Sequence, residues 1–209
     1  MDAVGWIFSN TLAPEKRKST CFVPCVRHGL YGRMHVDFRG DGDASKLVAA
    51  KLSGVNAAGV NLGCQSRDWF EKHGLSERLA EKLAPFFGKR GECAVKALAS
   101  AGPVKLNAGE ARDLLSAYLR GVGDECVSFF DGSEYPDWRT LPECVRTALL
   151  SLVGACGFGV FDRHVQLKEA IKESRFLDAE EVLRKGHTVW GGDWPLRARE
   201  GALLGLAAR

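Results

Sequence analysis

The most informative stretch of the sequence is Gly54-Val55-Asn56-Ala57-Ala58-Gly59-Val60-Asn61-Leu62-Gly63, which continues as Cys64-Gln65-Ser66. Short apolar runs bordered by glycine are typical of strands that end in tight turns, and we predict a strand over Val55–Leu62. A second short strand is predicted at Tyr31–Phe38, and the Gly/Asp-rich segment Arg39–Asp43 between them is predicted to be a turn or loop.

Downstream of this stretch the pattern becomes helical. Ser76 predicts the cap of a helix that runs to Phe87 and that Gly88 stops. Asn107-Ala108-Gly109-Glu110 is a capping-box pattern, and apolar residues recur at intervals of three and four after it, which predicts a long helix through Phe130. Further helices are predicted at 141–156, 163–174, 178–185 and 195–208.

These patterns predict an α+β, mainly α protein with two lobes. Residues 1–24 form a polar lead-in, and residues 25–209 form one domain. In that domain a small β-containing lobe is predicted over about residues 25–75 and a larger helical lobe over about residues 76–209.

Composition and charge exclude several classes of protein. The chain has 209 residues, 45% of them hydrophobic and 26% charged, which excludes disordered and low-complexity proteins. Its 29 Lys and Arg exceed its 26 Asp and Glu by three. That excess is too small for a nucleic-acid-binding surface, which needs a clustered basic stripe, but it suits a mildly acidic polymer.

Neither a membrane span nor a secretory signal is predicted. The longest apolar run, Ala148 to Phe161, has 14 residues, whereas a spanning helix needs about 20. The first residues, Met1–Trp6, carry an early acid and no basic segment, unlike a signal peptide. We therefore expect synthesis in the cytoplasm.

No metal or cofactor is predicted. The seven cysteines include Cys21-x3-Cys25, but no second Cys/His pair with zinc spacing follows, so we predict buried free thiols in a reducing compartment. Asp41-x-Asp43 begins like a calcium loop but lacks the later ligands. No phosphate-binding glycine pattern is present.

A second informative stretch is Leu141-Pro142-x3-Arg146-Thr147-Ala148-Leu149-Leu150-Ser151-Leu152-Val153, and a third is Arg197-x-Arg199-Glu200. In this order and spacing, together with the glycine-bearing strand, they resemble phage-type lysozymes, in particular the branch that includes the bacteriocin pesticin. The resemblance covers roughly residues 25–207. It implies a lysozyme-like fold and activity on peptidoglycan, as in endolysins and bacteriolytic effectors.

The resemblance also implies where a catalytic site would lie. The family places a general-acid Glu at the end of its first helix, an Asp nine positions later, and a Thr on the glycine-bearing strand. His28 occupies the Glu position here, Asp37 the Asp position and Asn56 the Thr position. An alternative alignment would make Glu15 the acid, although it lies in a polar segment.

Two functions remain open at this stage. The first is a muramidase in which Asp37 is the carboxylate, Asn56 positions a water, and His28 or another carboxyl group is the acid. The second is an inactive lysozyme-fold protein that binds a glycan or protein partner. An imidazolium can donate a proton, but a cation beside a forming oxocarbenium ion opposes the charge stabilisation that this reaction needs.

Structural roles are open for the same residues. His28 is also typical of a solvated turn or helix cap, Asp37 of a strand end, and Asn56 of a turn. The tryptophans Trp138, Trp190 and Trp194 suit either sugar stacking or core packing. The Arg197, Arg199 and Glu200 set is predicted to be a surface network of the last helix.

Overall fold

The computed structural model describes residues 35–36, 54–57, 60–101, 104, 106–185 and 194–208. The α+β, mainly α class is confirmed. Of the described residues, those up to Gly121 form one compact unit, here called the strand unit, and those from Val122 form another, the helical unit. The predicted lead-in and the predicted lobe boundary near residues 75–76 stay predictions.

The strand unit contains a small antiparallel sheet. Its strands are β1 (His35–Val36), β2 (Val55–Ala57) and β3 (Val60–Asn61), in the order β1-β2-β3. The single strand predicted over Val55–Leu62 is therefore two strands that pair with each other. Two residues separate Ala57 from Val60, its register partner, and that is the spacing of a tight hairpin.

Short helices follow the sheet in the strand unit. They are α1 (Arg67–Lys72), α2 (Glu77–Leu83) and α3 (Gly91–Ala101), with 3₁₀ turns at Leu62–Cys64 and Ala84–Phe86. The helix predicted to run to Phe87 ends earlier as an α-helix because Pro85 has no N–H to continue the bonding pattern. Gly88, at φ 67°, ends the turn as predicted. Helix α3 contacts β1 and β2.

The long helix α4 (Ala108–Asp131) begins at the predicted capping box. Asn107 Oδ1 accepts from the Glu110 N–H at 2.9 Å, and Glu110 Oε2 accepts from the Asn107 N–H at 2.8 Å. The predicted apolar stripe is confirmed as well, since its residues are buried apart from the half-buried Tyr118: Ala111, Leu114, Leu115, Leu119 and Val122. The boundary between the two units falls within this helix.

The described part of the helical unit adds a 3₁₀ turn at Trp138–Thr140 and five α-helices to the second half of α4. The helices are α5 (Glu143–Cys156), α6 (Gly159–Arg163), α7 (Val165–Lys172), α8 (Phe176–Lys185) and α9 (Trp194–Leu206). The helix predicted over 163–174 begins within α6, and His164, with ψ 73°, breaks it there before α7. Helix α9 packs against α5 and α8.

An aromatic cluster packs within the helical unit. Phe130 lies 5.2 Å from Trp138 and 6.0 Å from Phe161 between ring centroids. Trp138 is 7% exposed, so its role is core packing rather than sugar stacking. Trp190 lies outside the described residues, and of Trp194 only the backbone is described.

Candidate active site

The candidate site is built on the middle strand of the sheet. The Asn56 backbone is paired with His35 of β1 on one side and with Asn61 of β3 on the other. Its neighbours Val55 and Ala57 are 0% and 1% exposed. Because these two residues are buried in the core of the strand unit, the segment that carries Asn56 has a fixed register.

The residues that flank the two strands of the hairpin meet at a pair of glycines, Gly54 before β2 and Gly63 after β3. A Cβ atom on Gly54 would lie 2.6 Å from both Cα and N of Gly63, and one on Gly63 would lie 2.7 Å from Cα of Gly54. Real Cβ contacts are essentially never so short, so the two backbones approach a distance that only glycine allows. Asn61 Oδ1 accepts from the Gly63 N–H at 2.9 Å.

A third backbone segment closes this arrangement. The Gly88 N–H donates to the Leu62 carbonyl at 3.0 Å, and Gly54 forms an antiparallel bridge with Arg90. The Arg90 side chain donates from Nε to the Gly63 carbonyl at 2.7 Å. We call Gly54, Gly63 and Arg90, with the Gly88–Leu62 hydrogen bond, the hairpin base.

The structure describes only one of the three predicted site residues, and that one only in its backbone. His28 and Asp37 lie outside the described residues, and of Asn56 only the backbone is described. Their catalytic roles therefore stay predictions, as does that of Glu15. Sequence reasoning missed Arg90, whose bonded carbonyl belongs to a residue 27 positions away.

The other motif residues behave differently from their prediction. Arg197 and Glu200 were predicted to lie on the surface, and that prediction is wrong, since they are 1% and 0% exposed. Arg197 Nη1 lies 2.8 Å from Glu200 Oε2, and Ser151 Oγ donates to Glu200 Oε1 at 2.5 Å. A signal was available, because small and apolar residues surround both positions on α9 instead of forming one stripe.

The burial predicted for the cysteines is correct only in part. Cys64 and Cys93 are exposed, Cys144 and Cys156 are half-buried, and Cys126 is buried. All five are free thiols. Burial raises the pKa of Cys126 to about 12, so that thiol is protonated and unreactive at neutral pH. Within the described ranges, no group of three or more His, Cys, Asp or Glu is placed to hold a metal ion.

Three carboxyl groups in the described part of the chain are poorly suited to act as general acid. Hydrogen bonds from Lys82 and the Asn107 backbone lower the pKa of Glu110, and Lys172 lowers the pKa of Glu134. A general acid in glycoside hydrolysis needs the opposite shift. Glu200 is fully buried against Arg197, where no substrate reaches it.

Comparison with known families identifies the relationship. The family described as "Pesticin: Bacterial toxin homologue of phage lysozyme, C-term" matches residues 41–166, more than half of the 209-residue chain. The chain belongs to this family. No curated protein matches the chain significantly.

Membership of the pesticin family supports a lysozyme-like, cell-wall-active function in general, with peptidoglycan as the substrate that the family suggests. The matched residues include the glycine-bearing strand with Asn56 and begin after His28 and Asp37. Among the described helices, none is long and apolar enough to cross a membrane.

Proposed function

We propose that this chain hydrolyses glycosidic bonds of peptidoglycan, or of a related aminosugar polymer, at an atypical site formed by His28, Asp37 and Asn56. The observation that carries this proposal is the strand register within a chain of the pesticin family. In this antiparallel register Asn56 pairs with His35, which lies two residues before Asp37 in the sequence.

The proposed chemistry assigns one role to each residue. A water attacks the anomeric carbon, the Asp37 carboxylate takes its proton, and the bond from that carbon to the leaving oxygen breaks. The Asn56 amide orients the water. His28, as imidazolium, delivers a proton to the leaving oxygen. Because its positive charge opposes the oxocarbenium-like transition state, we expect a slow enzyme.

A second candidate function rests on the same His28. If the imidazole does not replace the family's Glu as the acid, the chain is an inactive lysozyme-fold protein that binds a glycan or protein partner. The two candidates differ in whether fragments are released from the substrate, and they share binding to it.

The deciding experiment measures release of soluble fragments from purified peptidoglycan, with mass spectrometry of the products. We expect slow release by the wild type with new reducing sugar ends, and a loss of at least about a hundredfold in Asp37→Asn. Asp113→Asn, at an exposed position on α4, is the matched control and should be unchanged. Sedimentation with the sacculi without any release would favour the binding protein.

A gain-of-function variant tests the position of the acid. His28→Glu should raise the release rate, because a neutral carboxyl group donates the proton without adding positive charge near the transition state. Gln166→Glu adds the same acid at an exposed position of α7 and should change nothing. Circular dichroism checks that both variants fold, and a folded His28→Glu protein with no gain would count against this alignment.

Delivery belongs to the same proposal. The chain would be made in the cytoplasm and reach the cell wall through a holin, as endolysins do, or through type VI secretion, as effectors do. Fractionation of producing cells with and without each export system would distinguish these routes.

A further inference from the structure

The strand that carries Asn56 is held at its base by contacts that converge on Gly63. Asn61 Oδ1 accepts from the Gly63 N–H, and Arg90 Nε donates to the Gly63 carbonyl. Both backbone polar groups of Gly63 are therefore occupied by side chains. Gly63 is also in direct backbone contact with Gly54, two residues before Asn56.

Arg90 joins this base through two different groups. Its backbone bridges to Gly54, just before β2, and its side chain bonds to Gly63, just after β3, so one residue contacts the chain on both sides of the hairpin. The bridge is independent of the side chain and remains in any substitution except proline. The Nε bond, by contrast, sets where Gly63 lies against Gly54, and a planar guanidinium fixes that geometry better than a flexible ammonium does.

The exposure of Arg90 separates positioning from stability. The residue is exposed, whereas Val55, Val60 and Leu62 of the same hairpin are 0% exposed. Removal of the Arg90 side chain therefore leaves the apolar core of the hairpin in place. What changes is the freedom of the hairpin base.

We propose that Arg90 is a positioning residue that acts through Gly63 and Gly54 to fix Asn56 for the glycan-hydrolysing reaction, an inference that rests on the proposed function. Arg90 does not touch the reacting atoms in this proposal. It restricts the strand on which the water-orienting amide stands, and displacements of about 1 Å in such groups can cost two orders of magnitude in rate.

Hydrogen–deuterium exchange tests the structural half of the proposal without any substrate. In Arg90→Ala, amides within residues 54–63 should exchange several-fold faster, while the core of α4 keeps its wild-type rate. In Arg90→Lys, which keeps the charge, the same amides should exchange at rates between those of the wild type and those of Arg90→Ala. Lys89→Ala, at the exposed neighbouring position, is the matched control and should leave this segment unchanged. Wild-type exchange in Arg90→Ala would overturn the proposal.

Kinetics on solubilised peptidoglycan test the functional half. Arg90→Ala should lower kcat by about tenfold with little change in KM, because the strand is displaced and no substrate contact is lost. In an Asn56→Ala background the same substitution should cost less than twofold, since its effect passes through Asn56. A full tenfold loss in that background, or no loss in the single variant, would overturn the role of Arg90.

Together, the exchange and kinetic experiments distinguish failure of this inference from failure of the proposed function. A wild type that releases no fragments overturns both, and exchange then reports only whether Arg90 holds the hairpin base. An active wild type with an equally active Arg90→Ala overturns the role of Arg90 alone and leaves the proposed function standing.

Discussion

The hairpin base of the strand unit and the ion pair of the helical unit each fix a polar group, but they do so by opposite physical means. At the hairpin base, glycine backbones in contact are bonded by Arg90, which stays exposed to water. In the helical unit, Arg197 and Glu200 are both withdrawn from water and paired with each other, and Glu200 also accepts a hydrogen bond from Ser151.

This difference predicts where each region is sensitive. Burying two charges costs several kcal/mol per ion, which the pair recovers only while both partners are present. Removal of the exposed Arg90 side chain leaves the Gly63 carbonyl without its donor, which costs less than an unpaired buried charge, so we expect it to change geometry more than stability. We therefore expect substitutions at the ion pair to lower the free energy of unfolding, and removal of the Arg90 side chain to change mainly the local dynamics of the hairpin base.

The largest expected effect is at Glu200. Glu200→Ala should lower the free energy of unfolding by about 3–5 kcal/mol, because it leaves the buried Arg197 guanidinium unpaired. Urea denaturation followed by circular dichroism measures this. The double variant Arg197→Met/Glu200→Leu removes both charges and should recover most of the loss, since apolar replacement of a buried pair is often neutral.

If the double variant is as unstable as Glu200→Ala, the attraction between the two charges exceeds the cost of burying them. The buried ion pair would then stabilise the helical unit by more than apolar side chains in its place can, and the contrast with the hairpin base would have to be revised. Arg199→Ala, at a half-buried position of the same helix, is the control for general disturbance of α9 and should be much milder than Glu200→Ala.

The second effect concerns the glycine contact of the hairpin base. Gly54→Ala should destabilise the protein by about 1–3 kcal/mol, because its Cβ would meet the Asn61 side-chain oxygen and also the backbone of Gly63, which cannot turn aside as a side chain can. Gly123→Ala is the matched control, since the nearest atom to its Cβ is 4.0 Å away and alanine favours helix α4. We expect Gly123→Ala to be neutral or stabilising in the same urea titration, and equal losses in the two variants would contradict the backbone contact.

The features that could be predicted from the sequence are those that depend on neighbouring residues. The capping box of α4 joins positions three apart, and its apolar stripe repeats every three or four residues, so both are evident from spacing alone. The fold class follows from the same local patterns. The family relationship was suggested by the order of longer motifs and is confirmed over residues 41–166.

What could not be predicted depends on residues far apart in the chain. The bond from Ser151 to Glu200 joins residues 49 positions apart, and that from Arg90 to Gly63 joins residues 27 apart. A spacing of three between Arg197 and Glu200 fits an exposed ion pair and a buried one equally well, so spacing alone could not show that this pair is buried. For the candidate site, the strand that carries Asn56 was predicted from its bordering glycines, whereas its pairing with His35 depends on residues far apart in the chain.

The smallest expected effect is at a third site, an ion pair whose exposure lies between that of the hairpin base and that of the buried pair in the helical unit. Lys82 Nζ lies 2.8 Å from Glu110 Oε2, and the side chains are 32% and 19% exposed. Lys82 and the capping bond lower the pKa of Glu110 in the folded state. A lowered folded pKa means that the interaction stabilises the protein above the unfolded pKa of about 4.3 and is lost as the pH falls through the folded value.

Glu110→Gln should therefore be less stable than the wild type at pH 7, and the gap should close as the pH falls below about 4. Urea denaturation at a series of pH values, in low and high salt, measures this, with Glu92→Gln at the exposed start of α3 as control. Salt should shrink the gap at pH 7 because the pair is partly solvated, whereas it should leave the cost of Glu200→Ala nearly unchanged. If the difference in stability between wild type and Glu110→Gln persists at low pH, Glu110 contributes through packing. Charge would then not explain why this pair matters less than the buried Arg197–Glu200 pair.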